Sequence, residues 1–383
     1  MTDKETRLRV GQVPVPSFPS VACAAAPSLK EARIALLTTA ALFPRGQSDW
    51  RRGDESFRVL RTEQDNVMLG HQSANFDQSG FAQDLNTVFP IQRLLEMAER
   101  EEIGSVAPRH LSFLGTQNET MDTIRYDSGP LAAELLRKDG VDVVLTLPVC
   151  PLCTRTSGTL AHVLEAHGIA TVSISLVRGI SERLRPPRTL FCEFPFGRPL
   201  GKPGDAEFQS CVLRSALALT SRTDVPVLEN FEEPVHSDEG GTFTCQIPPS
   251  LDESEQEPAV REAKAYLNAY RRSAARRGRS LVGRAIEPDR VPSAVNAFIE
   301  YLSDRSLSHF DGLGHPTSLA MDIRAYYEEA AMELSEMPLG ARATDRWFFS
   351  STDSGRLLVE VRKAMASAGV AKEVWHGLAA RGE

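Results

Sequence analysis

Short continuous apolar runs alternate with stretches of helical spacing along the chain up to about residue 220. Arg33–Ala41 is apolar with β-branched residues and reads as a buried strand. His110–Leu114, Val141–Leu147, Ala170–Ser175 and Thr189–Phe194 read as further strands. The largely apolar run of Val141–Leu147 predicts a strand covered on both faces. After Pro90, Ile91, Leu94, Leu95 and Ala98 recur at helical spacing. Gly129–Lys138 places Leu131, Leu135 and Leu136 on one face, with Gly140 as its stop. Two more helices are predicted over 156–166 and 205–218. Strands and helices in alternation require crossover connections, which predicts an α/β fold. The expected form is a doubly wound, mostly parallel sheet (Rossmann-like, in one or two lobes) over residues 31–222.

The rest of the chain differs. Residues 1–30 are polar and Pro-rich without a period and read as an N-terminal arm. Residues 44–86 are rich in Gly, Asp, Asn, Ser and Gln and read as a long polar loop, a form that compact domains keep for function. Residues 223–258 carry a high density of Asp and Glu between Pro and Gly and read as an acidic linker. Residues 259–383 return to helical spacing: Tyr266, Leu267 and Tyr270 share a face, as do Val295, Phe298, Ile299 and Leu302. A helical C-terminal region is expected there.

Length and charge then remove whole classes of function. The 383 residues are enough for a sizeable core, and a net charge of −8 offers no basic field for nucleic acid. The apolar runs fall far short of the ~20 residues of a membrane span. The first residues lack the apolar stretch of a secretory signal. The expectation is a soluble cytoplasmic protein with no membrane and no nucleic-acid partner. Its six cysteines then stay reduced, because a cytoplasmic chain of this length needs no disulfide staples.

Two cysteines stand out by spacing. Cys150 and Cys153 form a C-x-x-C between the Val141–Leu147 strand and the helix that follows. In open parallel sheets, ligands bind beyond the carboxyl ends of strands. The N-terminus of the next helix favours a thiolate there. Cys150 is the candidate nucleophile and Cys153 the candidate resolving thiol. Zinc or iron on the same pair is the alternative, with His162 and His167, five apart, as weak candidate ligands, because no second C-x-x-C completes a metal set.

Several stretches resemble a known family. They are His71-Gln-Ser-Ala-Asn-Phe-Asp77, Asp84-Leu-Asn86 through Arg93, Ile103–Ala107, His110–Gly115 and Val149-Cys150-Pro-Leu-Cys153-Thr-Arg-Thr156. In this order they resemble the component B subunits of glycine, sarcosine and betaine reductase and of D-proline reductase, over about residues 33–200. The resemblance implies reductive cleavage. A selenolate or thiolate attacks an activated amine substrate and displaces nitrogen, and a nearby cysteine resolves the adduct. The glycine-type motif of that family is selenocysteine-x-x-cysteine-x-x-cysteine. Here Cys150 takes the selenocysteine position, Cys153 the next, and Thr156 stands where the last cysteine would be.

The polar loop supplies further candidates for such a site. His71 is a candidate base, while Asp77, Asp84, Asn86 and Arg93 are candidate substrate-binding groups together with Thr156. Local roles compete with these: Asp84 or Asn86 as a helix cap, Arg93 in a surface ion pair, His71 as a satisfied loop histidine. The resulting expectation is a thiol-dependent reductase acting on a small polarised molecule of amine type through a redox-active dithiol. Expected partners are a thiol electron donor or a second reductase subunit, with homo-oligomerisation open. A metal-dependent enzyme and a non-catalytic subunit of a reductase complex are the alternatives.

Overall fold

The computed structural model describes residues 2–64, 66–71, 73, 75–235, 257–335 and 339–379. It divides into two units: Met1–His71 with Gln83–His236, and Gln72–Ala82 with Ser237–Glu383. The first unit carries strands β1 (Arg33–Thr38), β2 (Leu42–Pro44), β3 (Phe57–Arg61), β4 (Val67–Leu69), β5 (Ser105–Val106), β6 (Arg109–Phe113), β7 (Val143–Leu147), β8 (Ala170–Ser175), β9 (Arg188–Phe191) and β10 (Val227–Asn230). Its sheet runs in the order β10-β9-β8-β7-β1-β6-β3, with β5 added beside β1. All neighbours are parallel except the edge strand β3, which runs antiparallel to β6. The fold is therefore α/β with a mostly parallel sheet, as the alternation of runs requires.

Helices α1 (Asp3–Val10), α2 (Ser79–Gln83), α3 (Ile91–Glu99), α4 (Gly129–Lys138), α5 (Cys153–Ala166), α6 (Arg178–Leu184) and α7 (Ala206–Ala218) accompany these strands in the chain. All five residues of β7 are buried, which explains why four of them are apolar and the fifth is the β-branched Thr146. Ala35, Leu37, Leu111, Phe113, Val144, Leu136, Leu160 and Leu164 form one core cluster drawn from β1, β6, β7, α4 and α5. The chain visits β6 on one side of β1 and then β7 on the other. The crevice beyond the carboxyl ends of β1 and β7 is thus the reversal point where such sheets bind ligands.

Helix α5 is buried almost all round despite Thr154, Arg155, Thr156, Ser157, Thr159, His162 and Glu165 on it. The cause is the N-terminal segment, which lies over it as a strap. Phe18 stacks on His162 at 4.0 Å. Arginine side chains hook successive strap carbonyls: Arg183 holds Gly11 and Val13, Arg155 holds Pro14, Arg125 holds Ser17 and Arg188 holds Ala24. Ala24 also donates its N–H to Glu165, which pairs with Arg188 at 2.6 Å. The sequence shows an arm without periodicity here; its ordering comes from partners more than a hundred residues away. Helix α1 at its start is closed by a Thr2–Glu5 capping box, with no apolar stripe to betray it.

The second unit carries most of α2 together with α8 (Pro258–Arg277), α9 (Val291–Asp304), α10 (Pro316–Leu334), α11 (Ala343–Ser351), α12 (Asp353–Ser367) and α13 (Lys372–Trp375). Asp322, Arg324, Glu328 and Glu329 are buried along α10. Asp322 accepts four backbone N–H groups from Gly283 to Ile286. Residues 72–82 group with this unit rather than with the thiol-bearing one. Phe76 and Phe81 present their carbonyls there to Arg324 and Arg279.

Three elements differ from the sequence reading. Residues 44–86 contain β3, β4, α2 and a 3-10 turn rather than one long loop. The helix after the thiol pair starts at Cys153, not Thr156. Strand β10 falls inside the acidic stretch expected as a linker. Most of that stretch, with Cys245, lies outside the described residues. Among the described residues no helix is long and apolar enough to cross a membrane.

Candidate active site

Three strand ends and one ribbon build the candidate site. Beyond β7, Pro148 to Leu152 carry Cys150, and α5 opens with Cys153. The Cys153 N–H donates to the Cys150 carbonyl at 3.0 Å, which folds the C-x-x-C back on itself. Beyond β1, the Thr39 carbonyl lies 3.7 Å from the Cys153 Sγ. Beyond β6, Gly115 and Thr116 close the other side. A Cβ on Gly115 would stand 2.0 Å from the Cys153 Sγ, so this backbone approaches the thiol as only glycine allows.

His71 arrives from the ribbon of β2 and β4, which pair antiparallel. Phe43, Trp50, Met68 and Leu114 form a small core beneath it. Ala41 adopts a left-handed φ of 53°. This lets its N–H reach the Phe113 carbonyl while its own carbonyl accepts from Gly70. A Cβ on Gly70 would meet the Trp50 ring at 2.3 Å, so glycine is required immediately before the histidine.

The result is a tight trio. The two Sγ atoms are 3.0 Å apart, and His71 Nε2 lies 3.4 Å from the Cys153 Sγ. That sulfur separation suits an S–H···S contact and exceeds the ~2.05 Å of a disulfide. Cys150, Cys153 and His71 are 2%, 0% and 1% exposed. The Thr116 hydroxyl lies 3.6 Å from the Cys150 Sγ, and Thr116 is itself exposed. Cys150 is therefore one side chain below the surface.

Burial pushes both thiols up, but they end far apart. For Cys150, the hydrogen bond from Cys153, the charge and hydrogen bond of His71 and the Thr116 hydroxyl outweigh burial. They hold it well below the ordinary thiol value. Cys153 is driven well above that value, first by burial and then by the hydrogen bond to Cys150 and its negative charge. The pair thus favours loss of a proton from Cys150 over loss from Cys153. The N-terminal end of α5 adds its dipole in the same sense.

The same trio has the composition of a soft metal site, its three ligand atoms lying within 4.8 Å of one another. A tetrahedral ion with ~2.3 Å bonds to sulfur would hold two sulfurs about 3.8 Å apart. These sulfurs, at 3.0 Å, would have to spread to share one. Neither histidine suggested by spacing joins them. His162 bonds the Leu184 carbonyl and His167 the Val163 carbonyl.

The remaining candidates lie in local roles. Thr156 is fully buried and donates its hydroxyl to the Gly115 carbonyl at 2.6 Å, which ties α5 to the loop after β6. Asp84 caps the 3-10 turn Leu85–Thr87 and accepts from Gly204 and Gln209. Those hydrogen bonds hold it below the usual carboxylate range against the opposing effect of burial. Asn86 donates to Asp84 and accepts from the Gln92 N–H. Arg93 pairs with Glu96 at 2.5 Å. Asp77 accepts from Ser79 and Gly80 at the start of α2, in the second unit. Of the sequence candidates, the structure brings together Cys150, Cys153 and His71. It adds Thr39, Gly115, Thr116 and Arg155 around them. Gly115 and Arg155 lie within the motif stretches, but backbone approach and carbonyl contacts leave no mark in spacing.

Comparison with known proteins finds distant relatives. The chain is 27% identical over 192 residues to the D-proline reductase subunit gamma of Acetoanaerobium sticklandii, covering 49% of this chain and 78% of that protein. It is 25% identical over 208 residues to the glycine reductase complex component B subunit gamma of Carboxydothermus hydrogenoformans, covering 51% and 47%. The corresponding subunit of Symbiobacterium thermophilum is 25% identical over 225 residues, covering 56% and 52%. The chain thus spans about half the length of these glycine reductase subunits. No protein-family model matches it, and no solved structure matches it.

Proposed function

We propose that this chain, as a distant homologue of amino-acid reductase subunits, is a dithiol-using reductase subunit with Cys150 as its nucleophile. The observation that supports this most is the contact of two buried thiols beside His71, at the reversal point of a parallel sheet. The relatives' names, D-proline reductase and glycine reductase, point to a small amine as substrate.

The steps balance as follows. The Cys150 thiolate attacks the carbon bearing nitrogen, the S–C bond forms and the C–N bond breaks. Nitrogen leaves with its electron pair and takes a proton from His71. The neutral imidazole then accepts the Cys153 proton, and the Cys153 thiolate attacks the Cys150 Sγ. The S–S bond forms and the S–C bond breaks. Carbon leaves with its electron pair, stabilised by an adjacent carbonyl, and takes the proton back from His71. The substrate gains two electrons, the thiol pair becomes a disulfide, and an external dithiol returns it to the reduced state.

Intact mass spectrometry tests this. With glutathione disulfide as probe, Cys153→Ala should retain one glutathione as a mixed disulfide, while the unaltered chain should lose two hydrogens as an internal disulfide. In the assembled enzyme Cys150→Ala should abolish turnover, and full activity in that variant would end the proposal. A second reading, a non-catalytic subunit, is favoured by the relatives' being single subunits of complexes. Its mark would be a chain inert with every dithiol that co-purifies with a second, active subunit.

A further inference from the structure

Arg155 stands two residues into α5 from Cys153 and is 3% exposed. Its Nη2 donates to the Gln117 carbonyl at 2.9 Å and the Asn118 carbonyl at 3.2 Å, and its Nη1 to the Pro14 carbonyl at 2.9 Å. Its Nε meets no acceptor, and among the described residues no carboxylate lies within ion-pair distance. Burying a guanidinium without a carboxylate is costly, so what its fork holds should matter. It holds the loop after β6, where Thr116, Asn118 and Glu119 are exposed and Thr116 touches the Cys150 Sγ. Gln117 adds bonds to the Leu114 and Asp54 carbonyls and Thr156 one from α5 to the Gly115 carbonyl, while Arg155 holds the loop both to α5 and to the strap.

We infer that Arg155 is a positioning residue: by gripping the Gln117 and Asn118 carbonyls it sets the Thr116 hydroxyl against the Cys150 sulfur, and it locks the N-terminal strap to the same loop. The inference rests on the thiol reading above. It assigns Arg155 no contact with substrate. A planar fork is needed, because three carbonyls in different directions are bound by one side chain. Lysine keeps the charge but not that geometry.

The test is the rate of Cys150 alkylation by iodoacetamide against pH, read by peptide mass in the full chain. In the unaltered protein the midpoint should lie below the ~8.5 of a free thiol. Arg155→Lys and Arg155→Gln should each raise it by roughly one pH unit, as loss of one charge-assisted hydrogen bond predicts. At a pH below the midpoint the rate should then fall about tenfold. Thr116→Val should do the same, and Arg155→Lys, which keeps the charge, combined with Thr116→Val should shift no further than Thr116→Val alone. A midpoint unmoved in Arg155→Lys would overturn the inference, as would summed shifts in the double variant. A change confined to the plateau rate would also overturn it, making the loop a cover and no more. If the unaltered chain itself labels only as an ordinary thiol, it is the thiol reading that fails, whatever the variants do.

Discussion

A methyl group at Gly115 should break the thiol pair apart. The added Cβ would sit 2.0 Å from the Cys153 Sγ, 3.0 Å from the Thr39 carbonyl oxygen and 3.2 Å from the Cys153 Cβ. Ordinary heavy-atom contact is ~3.5–4.0 Å, so the sulfur falls short by roughly 1.5–2 Å and the other two by roughly 0.3–1 Å. The sulfur cannot retreat freely, with Thr39, His71 and Cys150 around it. Overpacking of this kind costs ~1–3 kcal/mol. Gly115→Ala should lower the urea unfolding free energy by that amount. The same strain opposes return of the sulfur to Cys150, so internal disulfide formation with diamide should slow roughly 5- to 150-fold. Cys153→Ala removes the clashing atom, and in that background Gly115→Ala should recover most of its cost, a coupling of about 1–2 kcal/mol. A Gly115→Ala chain as stable as the parent, and as quick to close its disulfide, would refute this account of the site.

The other expectations concern protonation and metal. His110 is fully buried, accepts the Leu36 N–H and touches the Thr62 hydroxyl; burial depresses it to about 3. The unfolded chain therefore binds a proton that the folded one refuses between about pH 6.5 and about 3, and stability should fall with pH across that window by up to ~1.4 kcal/mol per unit. His110→Asn should flatten the curve of unfolding free energy there. Glu328 runs the other way: burial raises it to about 7, against the pull of Arg324, so its folded form keeps a proton that the unfolded chain loses above about 4.5. Glu328→Gln should remove a loss of stability on going from pH 5 to pH 8, measured by the same denaturation series. Elemental analysis of protein purified without chelator should show less than one equivalent of zinc or iron, whereas a stoichiometric ion lost in both Cys150→Ala and His71→Ala would favour the metal reading.

Much of the fold was legible because burial on both faces writes itself as composition. Val143–Leu147 is apolar or β-branched throughout and Ala170–Ser175 is so apart from two serines, and their parallel pairing follows from a crossover connection. Elements whose partners lie far away were not legible. Helix α1 carries only the exposed Leu8 as an apolar residue between its cap and Val10, and the strap is ordered by arginines from four distant places. Strand β10 has Glu229 and Asn230 outward on a sheet edge, so it blends into the acidic stretch around it. In the site, the C-x-x-C was visible because its members are neighbours in sequence. The clasp around it was not: Thr39 enters through a carbonyl, Gly115 through a missing side chain and Thr116 through a turn. Thr156, Asp84 and Asn86 were visible as polar residues, but sequence could not show that their hydrogen-bonding capacity is spent on the backbone nearby.

The groups that set Cys150 apart reach it from widely separated parts of the polypeptide. Thr39 is 114 positions from Cys153, His71 is 82, and Thr116 is 34 from Cys150. A ribosome emits each of them before either sulfur, yet none can act until the central strands have annealed. The nascent polypeptide accordingly carries two commonplace thiols, slow toward electrophiles at neutral pH. On the proposed assignment of Cys150 as nucleophile, its reactivity arises only when folding is complete.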